Sequence, residues 1–266
     1  MAAWRTAYAS VVGTSHAASG APCQDAGRCE VVEAHDGSEV LIAAVADGAG
    51  SAPHSEKGSR AAVDLFLATF EPLAAEDPTL ACITREVMTA WFERLRDSLR
   101  ADAEAEGQSL SDYACTFLGA VIGPNRAMFV QIGDGAIVVR GRDSGDYTWV
   151  FWPQNGEFAN TTNFVTQDDF EHVLQVEFED TVLLDIAMFT DGIERLVLNM
   201  AARAVHSPAL RPIFEWMARA DDPPSGEARG LAAFLGSERV NSRTDDDKTL
   251  VMATRAVLEP VVCPPP

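Results

Sequence analysis

The chain has 266 residues, 47% of them hydrophobic and 23% charged, which is typical of a folded globular protein. Its 40 acidic residues outnumber 20 lysines and arginines, and the net charge of -20 argues against binding to nucleic acid or an anionic membrane. No apolar run reaches the roughly 20 residues of a membrane helix, and the N-terminus lacks the apolar core of a signal peptide. Five scattered cysteines without a CxxC pair argue against disulfides and structural zinc, so we expect a cytoplasmic protein.

The first half of the chain is predicted to form strands followed by two helices. Apolar stretches predict strands over residues 7–13, 29–34 and 41–46. A loop over residues 14–24 separates the first two strands, and His35 to Ser38 form a hairpin turn before the third. Apolar residues at helical spacing then predict two amphipathic helices, one from about residue 57 and one after residue 78.

The second half repeats this order. Strand-like runs joined by short turns predict a three-stranded antiparallel meander at residues 115–122, 127–132 and 136–140. The later strands are expected at residues 147–152, 173–178, 181–190 and 249–254. A long polar loop without a clear period covers residues 153–170, and two helices begin near Ser207 and Ser225.

This order of elements predicts an α+β fold. Antiparallel strands and four amphipathic helices are accommodated by two central antiparallel sheets packed together, each covered outside by a helix pair. We therefore expect a four-layer α-β-β-α sandwich. No linker interrupts it, so we predict a single domain over residues 1–258 and a proline-rich C-terminal tail at 259–266.

Acidic residues recur at the ends of the apolar runs. The positions are Asp25, Asp47, Asp134, Asp191 and Asp246 or Asp247. Each acid alone fits an ordinary turn, because Asp-Gly is a common turn pair. Together they would repel one another unless hard divalent cations, Mg²⁺ or Mn²⁺, neutralised them. Two such ions activate a shared water for attack on phosphorus and neutralise the phosphate. The chain has no GxSxG, P-loop or HExxH motif, and Asp-x-Asp is absent after the strand that ends at Asp47.

The acids lie in motifs that resemble those of a known family, the metal-dependent serine/threonine protein phosphatases of type 2C, in their compact prokaryotic branch. The matching stretches, in chain order, are Gln24-Asp25, Val45 to Gly50, Cys115-Thr116, Gln131 to Asp134, Phe189 to Gly192 and Asp246 to Thr249. One short motif is weak support, whereas motifs in the same order along nearly the whole chain are strong support. The fold of this family is the sandwich that the element order predicts.

The resemblance implies a metal site with two ions, Mg²⁺ or Mn²⁺. Asp47 would bridge them, the Gly48 carbonyl would bind one ion, and Asp191 and Asp246 would bind the other. Asp134, together with Asp191, would hold a third and weaker ion.

The resemblance also implies the reaction. It is hydrolysis of phosphoserine or phosphothreonine by direct attack of a metal-bound hydroxide, with no phosphoenzyme. Asp25, which would orient metal-bound water, joins Asp47, Asp191 and Asp246 as the expected catalytic set. The partners implied are a phosphorylated protein substrate and, by analogy, a cognate serine/threonine kinase.

The sequence departs from the family at three positions. The usual phosphate-clamping arginine is missing before Asp25, and His16 is the candidate replacement, or else a loop histidine bonded to backbone. Ala49 stands where many members have a histidine proton donor, so His54, Lys57 or metal-bound water would substitute. Asp247 replaces an asparagine and either joins the site or faces solvent.

Two alternatives to the protein phosphatase stay open at this point. The missing arginine and histidine are compatible with a catalytically weak, phosphatase-like module that binds phosphopeptides for regulation. A phosphatase of small phosphorylated metabolites is also compatible with the acids, and the loop at 153–170 would decide between substrates.

Overall fold

The computed structural model describes residues 3–154, 162–220 and 225–255. The expected loop at 153–170 is therefore described only in part, and the expected tail at 259–266 lies outside the described residues. No helix in these ranges is long and apolar enough to cross a membrane. The cytoplasmic location stays a prediction.

The long strands and helices of the described residues follow the order that the sequence predicts, with several short elements added between them. The strands are β1 (Arg5–Val11), β2 (Ala26–Glu33), β3 (Glu39–Ala46), β4 (Phe117–Ile122), β5 (Ala127–Ile132), β6 (Ala136–Gly141), β7 (Thr148–Phe151), β8 (Gln175–Glu179), β9 (Leu183–Phe189), β10 (Leu198–Asn199), β11 (Ala204–Val205) and β12 (Lys248–Thr254). The helices are α1 (Thr14–Ser19), α2 (Ser55–Glu76), α3 (Arg85–Glu106), α4 (Phe170–Val173), α5 (Glu194–Val197), α6 (Ser207–Arg219), α7 (Arg229–Leu235) and α8 (Glu238–Asn241).

Two five-stranded antiparallel sheets form the centre of the fold. Sheet A has the order β1-β12-β9-β6-β7, and sheet B has the order β2-β3-β4-β5-β8. One apolar core lies between the sheets, a second joins sheet B to α2 and α3, and a third joins sheet A to α6 and α7. The predicted four-layer α-β-β-α sandwich is confirmed.

Strand β3 explains why its sequence is apolar without interruption. Leu41, Ala43 and Val45 face the core between the sheets, whereas the alternate residues face the helices that cover sheet B. Side chains alternate between the two faces of a strand, and both faces are covered here. Every residue from Val40 to Ala46 is consequently buried, and the strand end that precedes Asp47 is held firmly.

Helices α2 and α3 pack on sheet B through an aromatic cluster. The ring of Trp91 lies 5.3 Å from Phe66 and 4.9 Å from Phe117, and each side chain is buried. Burial of one such side chain stabilises the fold by roughly 1.5–3 kcal/mol. Helix α3 begins at Arg85 rather than directly after Pro78 because Thr84 caps it, accepting a hydrogen bond from the Val87 amide.

Two local predictions are wrong. Strand β6 does not continue the meander of β4 and β5, because the chain crosses to sheet A and β6 pairs with β9 and β7. Gly133, with φ of +110°, makes the sharp turn that this crossing needs. The expected loop at residues 14–24 contains the short helix α1, which ends at Gly20 in a left-handed conformation.

Candidate active site

Asp25 and Asp47 lie at the same end of the β2–β3 hairpin. Ala26 pairs with Ala46, so the residue before β2 and the residue after β3 are neighbours. Asp25 is buried, and its Oδ2 accepts a 2.8 Å hydrogen bond from the Thr190 hydroxyl beyond the end of β9. Burial raises the pKa of Asp25 to about 8. The hydrogen bond connects the two sheets at this edge.

Asp191 and Asp246 reach the same edge from sheet A. Strands β9 and β12 are antiparallel neighbours, so the end of β9 lies beside the start of β12. Gly192 permits the close approach of the two segments, since a Cβ at this position would lie 1.9 Å from the Asp247 carbonyl oxygen. No other amino acid fits there without moving the backbone.

Asp134 lies where the chain crosses from sheet B to sheet A. The Thr162 hydroxyl, at the end of the partly described loop, donates a hydrogen bond to the Asp134 carboxylate. Burial raises the pKa of Asp134, the Thr162 hydrogen bond opposes the rise, and the negative charge of Asp246 adds to it. The crossing that removes β6 from the meander thus puts Asp134 close to the other acids.

The five acids form one electrostatic cluster. Burial raises the pKa of Asp47 well above its usual range, and the charges of Asp25, Asp191, Asp134 and Asp246 raise it further, in that order. The pKa of Asp191 rises to about 6, through burial first and then through Asp134 and Asp246. Five carboxylates so placed oppose one another's ionisation, which a nearby cation would relieve.

The cluster offers unpaired oxygens to a hard cation. Asp25 Oδ1 and Asp191 Oδ1 are buried and have no hydrogen-bond partner among the described residues. The Gly48 carbonyl likewise accepts no hydrogen bond within the described part of the chain. No three His, Cys, Asp or Glu side chains of that part already converge on one ion position. This donor set still fits Mg²⁺ or Mn²⁺, because such ions keep several waters and need only one or two carboxylates each.

Comparison with known proteins identifies the family. A family model described as Protein phosphatase 2C matches residues 12–236. Over 258 residues the chain is 38% identical to serine/threonine-protein phosphatase 3 of Escherichia coli K12, covering 94% of this chain and 98% of that protein. The chain belongs to the protein phosphatase 2C family. It is a serine/threonine protein phosphatase, and its substrates are phosphoproteins.

Solved structures agree with this assignment at the level of the fold. The serine/threonine phosphatase Stp1 from Staphylococcus aureus has a TM-score of 0.62 at 13% identity, covering 98% of this chain and 96% of that one. RsbX in complex with magnesium has a TM-score of 0.55 at 14% identity, covering 94% of each chain. Both relationships are too distant in sequence to assign individual residues of this phosphatase.

Asp247 of the phosphatase neither faces solvent nor presents a free carboxylate to the acid cluster. It is buried, and its two oxygens accept hydrogen bonds of 2.6 Å from the amides of Gly13 and Gln24. The Nδ1 atom of His16 lies 2.9 Å from Asp247 Oδ2. Asp247 therefore attaches the segment from Gly13 to Gln24 to the start of β12. His16 has one ring nitrogen left for other contacts, and phosphate binding by His16 stays a prediction.

The two side chains considered as proton donors lie against other parts of the phosphatase. Lys57 Nζ is 2.5 Å from Glu106 Oε2 at the end of α3. The His54 ring lies 5.4 Å from the ring of Tyr113. Both side chains are thus directed to the α3 side of the fold, and the identity of the proton donor stays a prediction.

Three charged residues near the acids were missed by the sequence reasoning. Burial raises the pKa of Glu194 to about 7, the charges of Asp191 and Asp134 raise it further, and Arg195 opposes them. Arg195 and Arg243 line a cavity of about 230 Å³ together with Asp191 and Asp246. Glu194 and Arg195 follow Asp191 by three and four residues, a spacing that places side chains on one face of a helical turn. Arg243 had no comparable local signal.

Proposed function

We propose that this phosphatase holds two divalent cations, Mg²⁺ or Mn²⁺, between Asp47, the Gly48 carbonyl, Asp191 and Asp246. Asp47 would be the central ligand of this set, because the charges of the four other acids all act on it. Asp134 and Asp191 would hold a third ion. The magnesium in the complex of the structurally similar RsbX supports this choice of metal.

The convergence of the five acids where the strand ends of the two sheets meet is the observation that carries the proposal. A partly buried carboxylate close to four others is unfavourable in the ionised form unless a cation compensates for it. When bound, the ions supply neutralisation of the phosphate charge and a water of lowered pKa. An acidic protein can in this way accept an anionic substrate.

Asp25 is proposed to orient the attacking water. Its Oδ2 is fixed by the Thr190 hydroxyl, and its Oδ1 is buried without a hydrogen-bond partner among the described residues. The free oxygen can accept a hydrogen bond from the water and hold it in line with phosphorus. Attack by water needs no protein nucleophile, which agrees with the absence of Asp-x-Asp after β3.

Arg195 and Arg243 are proposed to bind the substrate phosphate in place of the missing arginine. Both line the cavity that also contains Asp191 and Asp246. Neither guanidinium forms a hydrogen bond or salt bridge with another described residue, so both are free to bind an anion. A guanidinium matches the geometry of phosphate and can bind it with two parallel hydrogen bonds.

The metal site is tested by phosphate release from a phosphothreonine peptide, first with Mn²⁺ and then with excess chelator. We expect activity only with the ion, and we expect Asp47→Asn and Asp191→Asn to abolish it. Asp97→Asn, an exposed acid on α3, is the control and should keep full activity. Full activity in both site variants would show that the ligands are assigned wrongly.

The phosphate-binding residues are tested by kinetics on the same peptide. Arg195→Ala and Arg243→Ala should each raise KM about tenfold, which corresponds to a charged hydrogen bond of roughly 1.5 kcal/mol. His16→Ala is the matched comparison. If only His16→Ala raises KM, the phosphate binds on the α1 side and the assignment to the arginines is wrong.

We also infer that a serine/threonine kinase acts on the same substrates. A protein phosphatase acts only on residues that have been phosphorylated beforehand, so its substrates are also kinase substrates. The test is incubation of the phosphatase with proteins that a serine/threonine kinase of the same cell has phosphorylated. Retention of all phosphate by these proteins in Mn²⁺ would contradict the inference.

A further inference from the structure

An apolar groove opens beside the cavity that contains Arg195 and Arg243. It has a volume of about 840 Å³ and is lined by the segment from α5 to β10, the start of α6, Phe234 of α7, and α8. We name it the α6–α8 groove. It shares Arg195, Leu196 and Arg243 with the cavity of the acid cluster, so the two adjoin.

The groove exposes large apolar side chains. Met200 and Phe234, which line it, are 41% and 42% exposed. Trp216, 51% exposed, lies in an adjoining depression that shares Ile213 and Phe234 with the groove. Exposed apolar side chains that cluster in one groove are a feature of surfaces that bind other molecules.

The charge of the groove is opposite to that of the protein. Arg195, Arg239 and Arg243 line it, and none of the described lining residues is acidic. The chain as a whole carries 40 acids against 20 basic residues. A groove lined by arginines in such a chain is suited to an anionic partner, and its apolar floor is suited to apolar side chains of the same partner.

We propose that the α6–α8 groove binds the segment of a phosphoprotein substrate that flanks the phosphorylated residue, and that it selects segments with apolar and acidic side chains. The inference rests on the phosphatase site proposed above. Because the groove adjoins the cavity that contains Arg195, a substrate with its phosphate beside Arg195 would place its flanking residues in the groove. An extended chain advances about 3.3 Å per residue, so three or four flanking residues span roughly 10–13 Å. The groove volume of about 840 Å³ lies within the range of pockets that bind small molecules, so it has room for several side chains of the segment.

The test compares three substrates of the full-length phosphatase in Mn²⁺. The first is p-nitrophenyl phosphate, which has no flanking residues. The second is a phosphothreonine peptide with leucine and glutamate within four residues on both sides, and the third is the same peptide with those residues replaced by serine. We expect kcat/KM for the leucine–glutamate peptide to exceed that for the serine peptide by about tenfold.

Variants locate the preference in the groove. Arg239→Ala and Met200→Ala should each raise KM for the leucine–glutamate peptide about fivefold, with kcat unchanged. Neither should change the hydrolysis of p-nitrophenyl phosphate, which does not reach these side chains. Arg94→Ala and Val87→Ala on the exposed face of α3 are matched controls and should leave all three substrates unaffected.

The outcomes separate this inference from the proposed function. Absence of p-nitrophenyl phosphate hydrolysis in Mn²⁺ would refute the metal-dependent site itself. Normal hydrolysis of p-nitrophenyl phosphate with equal kinetics on both peptides would overturn the groove proposal alone. A dimer in size-exclusion chromatography that Met200→Ala dissociates would show that the groove binds a second copy of the chain, which also overturns it.

Discussion

Replacement of Asp247 by alanine should destabilise the phosphatase without removing any proposed metal ligand. Asp247 is 2% exposed and accepts 2.6 Å hydrogen bonds from the amides of Gly13 and Gln24. His16 Nδ1 makes a third contact of 2.9 Å. In Asp247→Ala the two amides lose their acceptor while they remain buried.

The magnitude follows from these contacts. A buried amide left without an acceptor costs about 1–3 kcal/mol, so two of them cost about 4 kcal/mol. The His16 side chain is 20% exposed and can bond to water instead, so it adds little. A loss of about 4 kcal/mol is a large share of a typical stability of about 5–15 kcal/mol. It corresponds to a fall in Tm of about 10 °C.

The assay is urea unfolding and thermal melting in excess chelator, because bound ions would stabilise the folded state by mass action. Asp245→Ala changes an exposed acid of the same run and should alter the free energy of unfolding by less than about 0.5 kcal/mol. Asp247→Asn keeps one acceptor oxygen and should lie between the two. If Asp247→Ala unfolds within about 1 kcal/mol of the wild type, the structural role of Asp247 is wrong.

Three further predictions concern the site and its supports. Gly192→Ala would put a Cβ 1.9 Å from a backbone carbonyl oxygen and should lower both Tm and phosphatase activity. Gly230→Ala in α7 is the control, because no atom lies within 4 Å of its Cβ position, and it should raise Tm slightly. Equal Tm values for the two variants would contradict the close approach at Gly192. Asp47→Asn should raise Tm in chelator by removing a partly buried charge that the neighbouring acids repel. It should also lose the Mn²⁺-dependent stabilisation that we expect calorimetry to detect in the wild type, about 2.7 kcal/mol at 100 times Kd; a retained Mn²⁺ response would argue against metal binding there. Asp185→Ala should cost about 3–5 kcal/mol in urea unfolding, because Asp185 is fully buried and pairs with Arg140 at 2.7 Å; a loss below about 1 kcal/mol would count against this pair.

The sequence by itself determined most of the secondary structure and the set of acids. Apolar runs such as Leu41 to Ala46 identify buried strands because both faces of a strand in this sandwich are covered. Helical spacing identifies α2 and α3 for the same reason, since one face of each helix packs on sheet B. Asp47 and Asp191 were recognised because each acid ends a buried run and is followed by glycine.

Tertiary structure alone decided which strands share a sheet and which charged residues meet. The turn from β5 to β6 is as short as a hairpin turn, yet it leads to the other sheet, because sheet membership depends on partners that are distant in the chain. His16 and Asp247 are 231 residues apart in the chain and are in contact in the fold. The sequence alone did not show whether Asp247 joins the site or faces solvent, and the structure shows that its carboxylate binds the segment that contains His16. Arg243 reaches the cavity beside Asp191 in the same way, through packing that no local pattern encodes. The periodicity of apolar residues indicates whether a residue is buried. Which residues it contacts is determined only when the two sheets and their covering helices pack together.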